Sequence, residues 1–308
     1  MILAAGLTPA FQQILTFEPF VWGEVNRARE SAWCASGKVL NVGVALAHLQ
    51  TPAHTLSPIG GWAREPIEHE FRQWNAPATW IATAAPTRVC TTILDRTQQQ
   101  TTELVQNAGQ LTPAELAEFV RAFQRLVTDA TAVVLTGSLP AGTPSTIFAE
   151  LLAGQTIPSV LDIRGPELLA ALAQRPTLIK PNREELAYTL GRSLDTDDAL
   201  LAAMRELITR GAQSVLVSQG GRPALLATHD GLWQLTPAPV AAVVNPIGCG
   251  DCLAAGVAWG LSRGLPIIDA VALGMGAAAD NVSQLLPARL DRARVEQLAA
   301  QVQVAAVV

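Results

Sequence analysis

The sequence predicts an α/β fold with three layers, in which helices cover both faces of a mostly parallel sheet. Short runs rich in β-branched residues alternate along the chain with longer stretches of helical period, which is typical of repeated βα units. Two segments, residues about 11–33 and about 88–106, break this alternation and predict a small β-sheet inserted as a lid. The chain has 308 residues and no low-complexity linker, so we expect a single domain that spans residues 1–308.

The predicted elements follow in chain order. Short apolar runs predict buried strands at 133–136, 159–162, 177–180 and 214–217. Apolar faces at helical spacing predict helices over 143–153, 166–173 and 195–210, and later over 250–260, 266–281 and 289–301. The second lid segment predicts a β-hairpin. Apolar and polar residues alternate from 89 to 94, a polar turn begins at 95, and a second strand-like run ends at 105. The glycine-rich run 274–279 fits a dinucleotide fingerprint formally, but no strand precedes it, which favours close helix packing.

Composition excludes several classes of function. The chain is 49% apolar and 15% charged, with a formal net charge of −5, so it has no general attraction for nucleic acid or for an anionic membrane. It contains no run of about 18 apolar residues and no basic leader, from which we expect no membrane partner and a cytoplasmic location. Four cysteines are too few for a disulfide scaffold and predict reduced thiols.

The segment Gly248–Cys249–Gly250–Asp251 is the strongest candidate for a catalytic site. It follows a strand-like run at 240–244 and opens a helix of small residues. Glycines let backbone N–H groups turn toward one point, and the start of a helix adds partial positive charge, so this segment predicts an anion hole. Asp251 would lie beside the anion, where it could accept the proton of an attacking hydroxyl during phosphoryl transfer. The alternative is an ordinary turn in which Asp251 caps the helix.

Two cysteines flank this aspartate. Cys249 and Cys252 have the spacing of a redox pair or of half a metal site, but the sequence contains no second pair of this kind. Small apolar packing beside the glycines is the favoured interpretation.

The segment from Lys180 to Glu185 follows a predicted buried strand, so it lies at the carboxyl edge of the sheet, where open α/β sheets bind ligands. Asn182 and Glu185 are one helical turn apart, and an amide and a carboxylate at this spacing can share a hydrated Mg²⁺. A capping box formed by the same two residues explains the pattern equally well and does not exclude the metal.

The segment from Ser36 to Asn41 precedes another predicted helix. Its Gly37–Lys38 pair suggests a P-loop, but Ala32 stands where the first glycine is required and Val39 where Ser or Thr is required. Lys38 and Asn41 could still bind a sugar hydroxyl or a phosphate, or simply belong to a solvated helix start. Arg88 and Arg27 fall in the predicted lid, where a guanidinium could hold a phosphate, although a lone arginine is more often a surface residue.

Taken in order, these motifs resemble those of the PfkB (ribokinase-like) carbohydrate kinases, in the branch of 1-phosphofructokinase and tagatose-6-phosphate kinase. The resemblance covers nearly the whole chain. It is carried by the following segments: 7–10, 23–27, 36–41, 87–88, 137–140, 180–185, 218–221 and 248–251.

The resemblance implies a ribokinase-like fold, ATP as the phosphoryl donor and Mg²⁺ near Asn182 and Glu185. It also implies Asp251 as the base, an anion hole at Gly248, Cys249 and Gly250, and nucleotide contacts from Lys180, Asn182, Ser218 and Gly220. On the acceptor side it implies sugar contacts from Gln12, Gly37, Lys38, Asn41 and Arg88, with Arg27 as a further cation.

Three departures from the family pattern fall on the acceptor side. Gln12 stands where relatives have a carboxylate that holds sugar hydroxyls, and Ser36 and Val39 replace two glycines of the sugar loop. A β-branched side chain disfavours positive φ and would take room from a ligand, so we expect an altered sugar pocket.

The resulting hypothesis is an ATP-dependent carbohydrate kinase that acts on a ketohexose phosphate. The alternatives are a kinase of a nonphosphorylated sugar or nucleoside, and a nucleotide-binding regulatory protein that has lost its acceptor site. Aromatic residues of the lid, Phe11, Phe17, Trp22 and Trp33, also suggest a homodimer formed through the lid, or closure over the substrate.

Overall fold

The computed structural model describes residues 1–307, which form fourteen strands and ten helices. The strands are β1 (Ile2–Ala5), β2 (Ala10–Phe17), β3 (Glu30–Ser36), β4 (Ala53–Ile59), β5 (Ala78–Ala82), β6 (Arg88–Asp95), β7 (Gln100–Val105), β8 (Ala132–Thr136), β9 (Ser159–Asp162), β10 (Leu178–Ile179), β11 (Ser214–Gln219), β12 (Arg222–Thr228), β13 (Leu232–Thr236) and β14 (Gln303–Ala306). The helices are α1 (Lys38–His48), α2 (Arg64–Gln73), α3 (Pro113–Leu126), α4 (Ile147–Leu152), α5 (Pro166–Ala171), α6 (Arg183–Leu190), α7 (Asp197–Thr209), α8 (Cys249–Ser262), α9 (Ile267–Asn281) and α10 (Arg292–Ala299).

The large sheet has ten strands in the order β14-β13-β12-β11-β10-β9-β8-β1-β4-β5. The seven strands from β11 to β5 pair in parallel, and the strands from β11 to β14 pair antiparallel. Separate hydrophobic cores lie on its two faces, one built with α1, α2 and α8 to α10 and the other with α3 to α7. The predicted three-layer architecture is therefore confirmed.

The parallel strands direct their carboxyl ends to one edge of the sheet, where their following loops meet. This edge receives the loops after β1, β8, β9, β10 and β11, and the glycine turn before α8 lies beside it. Residues far apart in the chain are thus brought to one place by topology.

A second sheet, the lid, has four strands in the order β3-β2-β6-β7. The predicted hairpin is confirmed as the antiparallel pair β6–β7, while β2 and β6 run parallel. Gly37 connects the lid to α1 with a φ of 81°, and a Cβ on it would lie 2.8 Å from the backbone nitrogen of Ala10. Glycine is required there because the loop passes directly under the lid backbone.

Two predictions about local structure are corrected. The apolar run 240–244 is not a strand, because it has no partner in either sheet; its last residue instead donates its N–H to the carbonyl of Val282. The predicted helix over 143–153 is shorter and begins at Ile147, after the turn that contains Pro144. Within residues 1–307, no helix is both long and apolar enough to cross a bilayer.

Candidate active site

A cavity of about 500 Å³ lies between the carboxyl edge of the large sheet and the lid. Most of the residues predicted for the site line it: Gln12, Gly37, Lys38, Asn41, Arg88, Lys180, Asn182, Glu185, Ser218, Gly220, Gly248, Gly250 and Asp251. Cys249 and Arg27 do not line this cavity. Cys249 turns its thiol toward Asn281, and Arg27 lies in an exposed loop between β2 and β3.

Asp251 lies in the first turn of α8, and its side chain is buried at the floor of the cavity. The amide nitrogen Nδ2 of Asn41 donates to Oδ2 of Asp251 over 2.7 Å. Burial, reinforced by the negative charge of Asp162, raises the pKa of the Asp251 carboxyl to about 7. A carboxylate with this pKa can take up a proton near neutral pH, which is what a general base must do.

The backbone before Asp251 forms the glycine turn for which an anion hole is predicted. Gly248 has a φ of 84°, so the chain can turn sharply before the helix begins. The N–H of Cys249 donates to the carbonyl of Pro246 over 3.3 Å, which engages it within the turn. The N–H groups of Gly250 and Asp251 belong to the first turn of α8, where a helix leaves its donors free for an anion.

The buried side chain of Asn281 stabilises this turn through hydrogen bonds. Its Nδ2 donates to the carbonyl of Ile247 and to Sγ of Cys249, over 2.9 and 3.2 Å. Its Oδ1 accepts from the N–H of Ala288 over 2.6 Å and from the thiol of Cys252 over 3.3 Å. Both cysteines therefore contact one buried amide beside the turn, as expected for packing groups, and both are free thiols.

Asp162, at the end of β9, is a central residue that the sequence analysis missed. Its Oδ1 forms ion pairs with Nζ of Lys38 at 2.9 Å and with Nζ of Lys180 at 3.2 Å. Nζ of Lys38 also forms an ion pair with Oε1 of Glu185 at 3.2 Å. Burial opposes ionisation of Asp162, but the charges of Lys180 and Lys38 outweigh it and lower its pKa. The signal in the sequence was an aspartate that ends an apolar strand at the ligand-binding edge.

The two ammonium groups lie close to the glycine turn before α8. A Cβ on Gly250 would lie 3.4 Å from Nζ of Lys180, so the small residue leaves room for that cation. Burial disfavours the charge of Lys38, but the carboxylates of Asp162, Glu185 and Asp251 outweigh it and raise its pKa. Two fixed positive charges thus stand beside the carboxylate of Asp251.

Asn182 and Glu185 form the capping box that the sequence left open as an alternative. Oδ1 of Asn182 accepts from the N–H of Glu185, and Oε2 of Glu185 accepts from the N–H of Asn182, over 2.7 and 3.0 Å. Oδ2 of Asp162 is buried and has no hydrogen-bond partner within residues 1–307. An unpaired carboxylate oxygen next to Glu185 is the kind of donor that a hydrated Mg²⁺ uses, so the residues fit this ion.

Ser218 and Gly220 lie at the end of β11, next to Asn182. Asn182 and Ser218 form an isolated parallel bridge, and Gly220 has a φ of 64° in the turn that leads to β12. Both residues line the outer part of the cavity. Their contact with a nucleotide stays a prediction.

The lid contributes a polar inner face to the cavity. Gln12 is buried, and its Nε2 donates to Oγ1 of Thr92 over 2.6 Å. Arg88 donates to three backbone carbonyls, those of Thr8, Pro9 and Gln106, over 3.0 to 3.3 Å. A guanidinium has five N–H donors, so two of them stay available for a ligand.

One expectation about the sugar loop was wrong. Val39 lies inside α1 with its side chain buried in the core, so it neither adopts positive φ nor takes room from the cavity. It packs instead near Gly6, where a Cβ would lie 2.9 Å from the Cβ of Val39. Ser36 does line the cavity.

Comparison with known proteins decides the family. The model of the pfkB family carbohydrate kinases matches residues 12–289, which is most of the chain. The chain belongs to this family. Its members transfer a phosphoryl group from ATP to a carbohydrate, and the chain is accordingly a carbohydrate kinase.

Individual pfkB relatives are similar over nearly their whole length. The chain is 30% identical to 1-phosphofructokinase of Bacillus subtilis (strain 168) over 278 residues, which are 89% of this chain and 90% of the relative. It is 30% identical to D-tagatose-1-phosphate kinase of Klebsiella oxytoca over 307 residues, which are 99% of each chain.

Solved structures share the fold. Phosphofructokinase-2 from Escherichia coli in complex with fructose-6-phosphate has a TM-score of 0.86 and 24% identity, covering 97% of this chain and 99% of that one. The tetrameric inhibited form of that enzyme has the same TM-score and identity, covering 97% of this chain and 98% of that one. These likenesses confirm the ribokinase-like α/β fold.

Proposed function

We propose that this pfkB kinase transfers the γ-phosphoryl group of ATP to a hydroxyl of a ketohexose phosphate, with Asp251 as the general base. One observation carries the proposal: a buried carboxylate with a pKa raised to about 7 stands at a helix start beside two ammonium groups. The names of the relatives, a 1-phosphofructokinase and a D-tagatose-1-phosphate kinase, support this class of acceptor.

Each group of residues has a separate role in phosphoryl transfer. Asp251 accepts the proton of the attacking hydroxyl, while the free N–H groups of Gly250 and Asp251 bind the transferring phosphoryl group. Lys180 and Lys38 stabilise the negative charge on this group from the sheet edge. Asn182, Ser218 and Gly220 would contact the rest of the nucleotide.

Mg²⁺ would accompany ATP at this site. Asp162, through its unpaired Oδ2, and Glu185 would hold the ion, with Asn182 adjacent. When bound, Mg²⁺ neutralises phosphate oxygens and orients them for in-line transfer.

Under the lid, Gln12, Gly37 and Asn41 would contact the sugar, and the two free donors of Arg88 would bind its phosphate. Arg27 would have to move to reach the same cavity, because it lies in an exposed loop. The four free thiols and the use of ATP support a cytoplasmic location.

A homodimer through the lid is proposed as well. Trp22 and Val25 of the lid loop are 74% and 88% exposed, and Leu104 of β7 is also exposed, which leaves apolar area for a second copy to cover. Light scattering after size-exclusion chromatography would test it: twice the monomer mass is expected, and a mass of 32.5 kDa would overturn it.

The test of function is an ATP-consumption screen across phosphorylated and free ketoses, aldoses and nucleosides. We expect the highest kcat/KM with a ketohexose monophosphate. A higher value with a free sugar or nucleoside would favour the alternative acceptor class. ATP binding by calorimetry without consumption on any compound would favour a regulatory protein.

A further inference from the structure

We propose that Glu103, on lid strand β7, determines acceptor specificity by accepting hydrogen bonds from the hydroxyls of a sugar whose phosphate binds Arg88. This inference rests on the proposed function, because it takes the acceptor to be a sugar phosphate whose phosphate binds Arg88.

The strand register places Glu103 on the inner face of the lid. Gln12 on β2 pairs with Cys90 on β6, and Cys90 pairs with Val105 on β7, so these three side chains share one face. Thr92 pairs with Glu103 in the next row of that face, since residues two apart in a strand point the same way. Gln12, Cys90, Val105 and Glu103 all line the cavity, which identifies this face as the inner one.

Glu103 differs from the other carboxylates of the cavity because no protein group binds it. Asp251 accepts from Asn41, Asp162 binds two lysines, and Glu185 belongs to a capping box. Within residues 1–307, Glu103 makes no hydrogen bond or ion pair that would engage its oxygens. The residue is exposed along the edge strand, and partial burial of its carboxyl raises the pKa against the opposing charge of Arg88.

A bound sugar needs hydrogen-bond acceptors on the lid, and strand β2 supplies few of them. Sugar hydroxyls are donors, and a donor that loses water without finding an acceptor weakens binding. Gln12 donates one N–H of its amide to Thr92, and its only side-chain acceptor is the uncharged carbonyl oxygen. Glu103 lies two strands away, about 10 Å across the same face, and offers two oxygens.

Arg88 and Glu103 give the inner face of the lid one positive and one negative side chain. Arg88 precedes Thr92, the partner of Glu103, by four residues on β6, which is about 13 Å along the strand. The positive charge of Arg88 nonetheless acts on the Glu103 carboxylate and partly offsets the effect of burial on its pKa. With a phosphate bound to Arg88, Glu103 would repel a second phosphate and accept hydrogen bonds from the hydroxyls of the same sugar.

Steady-state kinetics of Glu103→Ala and Glu103→Gln test this role on the best acceptor of the wild-type enzyme. We expect the acceptor KM to rise roughly 10- to 100-fold in Glu103→Ala and less in Glu103→Gln, which keeps one acceptor oxygen. The KM for ATP should stay within about twofold. Glu30→Ala is the matched control, because Glu30 is an exposed lid carboxylate that does not line the cavity, and its kinetics should equal those of wild type.

Deoxy analogues of the acceptor, each lacking one hydroxyl, distinguish direct contact from a structural effect. In wild type, losing the hydroxyl bound by Glu103 should lower kcat/KM about tenfold or more, and in Glu103→Ala the same loss should have almost no effect. Equal losses in both enzymes, or an unchanged acceptor KM in Glu103→Ala, would overturn the proposal. A wild-type enzyme inactive on every sugar phosphate would instead overturn the proposed function.

Discussion

The sheet edge and the lid contribute polar groups to the same cavity, but they prepare them differently. At the sheet edge the charged groups already have protein partners: Asp162 pairs with Lys38 and Lys180, and Asp251 accepts a hydrogen bond from the amide of Asn41. On the lid, Arg88 keeps two free donors and Glu103 is unbound. Groups that are fixed in advance suit charge that develops during a reaction, whereas unpaired groups suit recognition of a substrate.

This difference separates catalysis from specificity in the chain. Changes at the sheet edge should lower kcat, because the groups there act on the transferring phosphoryl group. Changes on the lid should raise the acceptor KM and leave chemistry nearly intact.

The largest effect is expected for Asp251→Asn. Loss of the base should lower kcat roughly 10²- to 10⁴-fold, since general base catalysis typically contributes that much. ATP affinity, measured by calorimetry on the same protein, should stay within a few-fold of wild type. Near-normal turnover on the best acceptor would remove Asp251 from the mechanism.

The lid is tested by Arg88→Ala. We expect the acceptor KM to rise about 10- to 100-fold with little change in kcat, because a charge-assisted hydrogen bond to the phosphate is lost. Arg29→Ala is the control, since Arg29 lies in the exposed lid loop and only pairs loosely with Glu18. An Arg88→Ala enzyme that loses kcat but keeps its acceptor KM would contradict the division.

The raised pKa of Asp251 also predicts a cost in stability. Its pKa is about 7 when folded and near 3.8 when unfolded, so burying the ionised form destabilises the fold as pH rises from about 4 through 7. Asp251→Asn should therefore be more stable than wild type at pH 8, on the order of 2–4 kcal/mol, and equally stable below pH 4. Denaturant unfolding at both pH values measures it, and equal stability at pH 8 would count against the raised pKa.

The local parts of this site could be predicted from the sequence. The turn at Gly248, the start of α8 and the capping box at Asn182 depend on neighbours within a few residues, and the structure contains all three. The three-layer body was also predictable, because buried parallel strands leave continuous apolar runs. The run at 240–244 was misjudged because strand propensity does not reveal whether a pairing partner exists.

The other site residues could not be predicted, because their contacts depend on pairing between segments that are far apart in the sequence. Asp162 contacts Lys180 because β9 lies beside β10, and it contacts Lys38 because α1 begins at the same edge of the sheet. The residues next to Asp162 in the sequence do not indicate either contact. For Glu103, alternation along β7 indicated two faces but not which one faces the cavity. Val39 was misplaced because a family glycine position was assumed to lie in the loop, whereas it lies inside α1.

The pH dependence of kcat/KM tests the central claim most directly, that Asp251 is a base tuned by its neighbours. Wild type should lose activity below a midpoint near pH 7, because the base must be ionised. Asp162→Asn removes a negative neighbour and should move the midpoint to lower pH, while Asn41→Ala removes a donor and should move it to higher pH. Opposite shifts of these two variants are the predicted result. A midpoint that is the same in all three enzymes would show that another group, such as ATP itself, titrates, and would contradict Asp251 as the base.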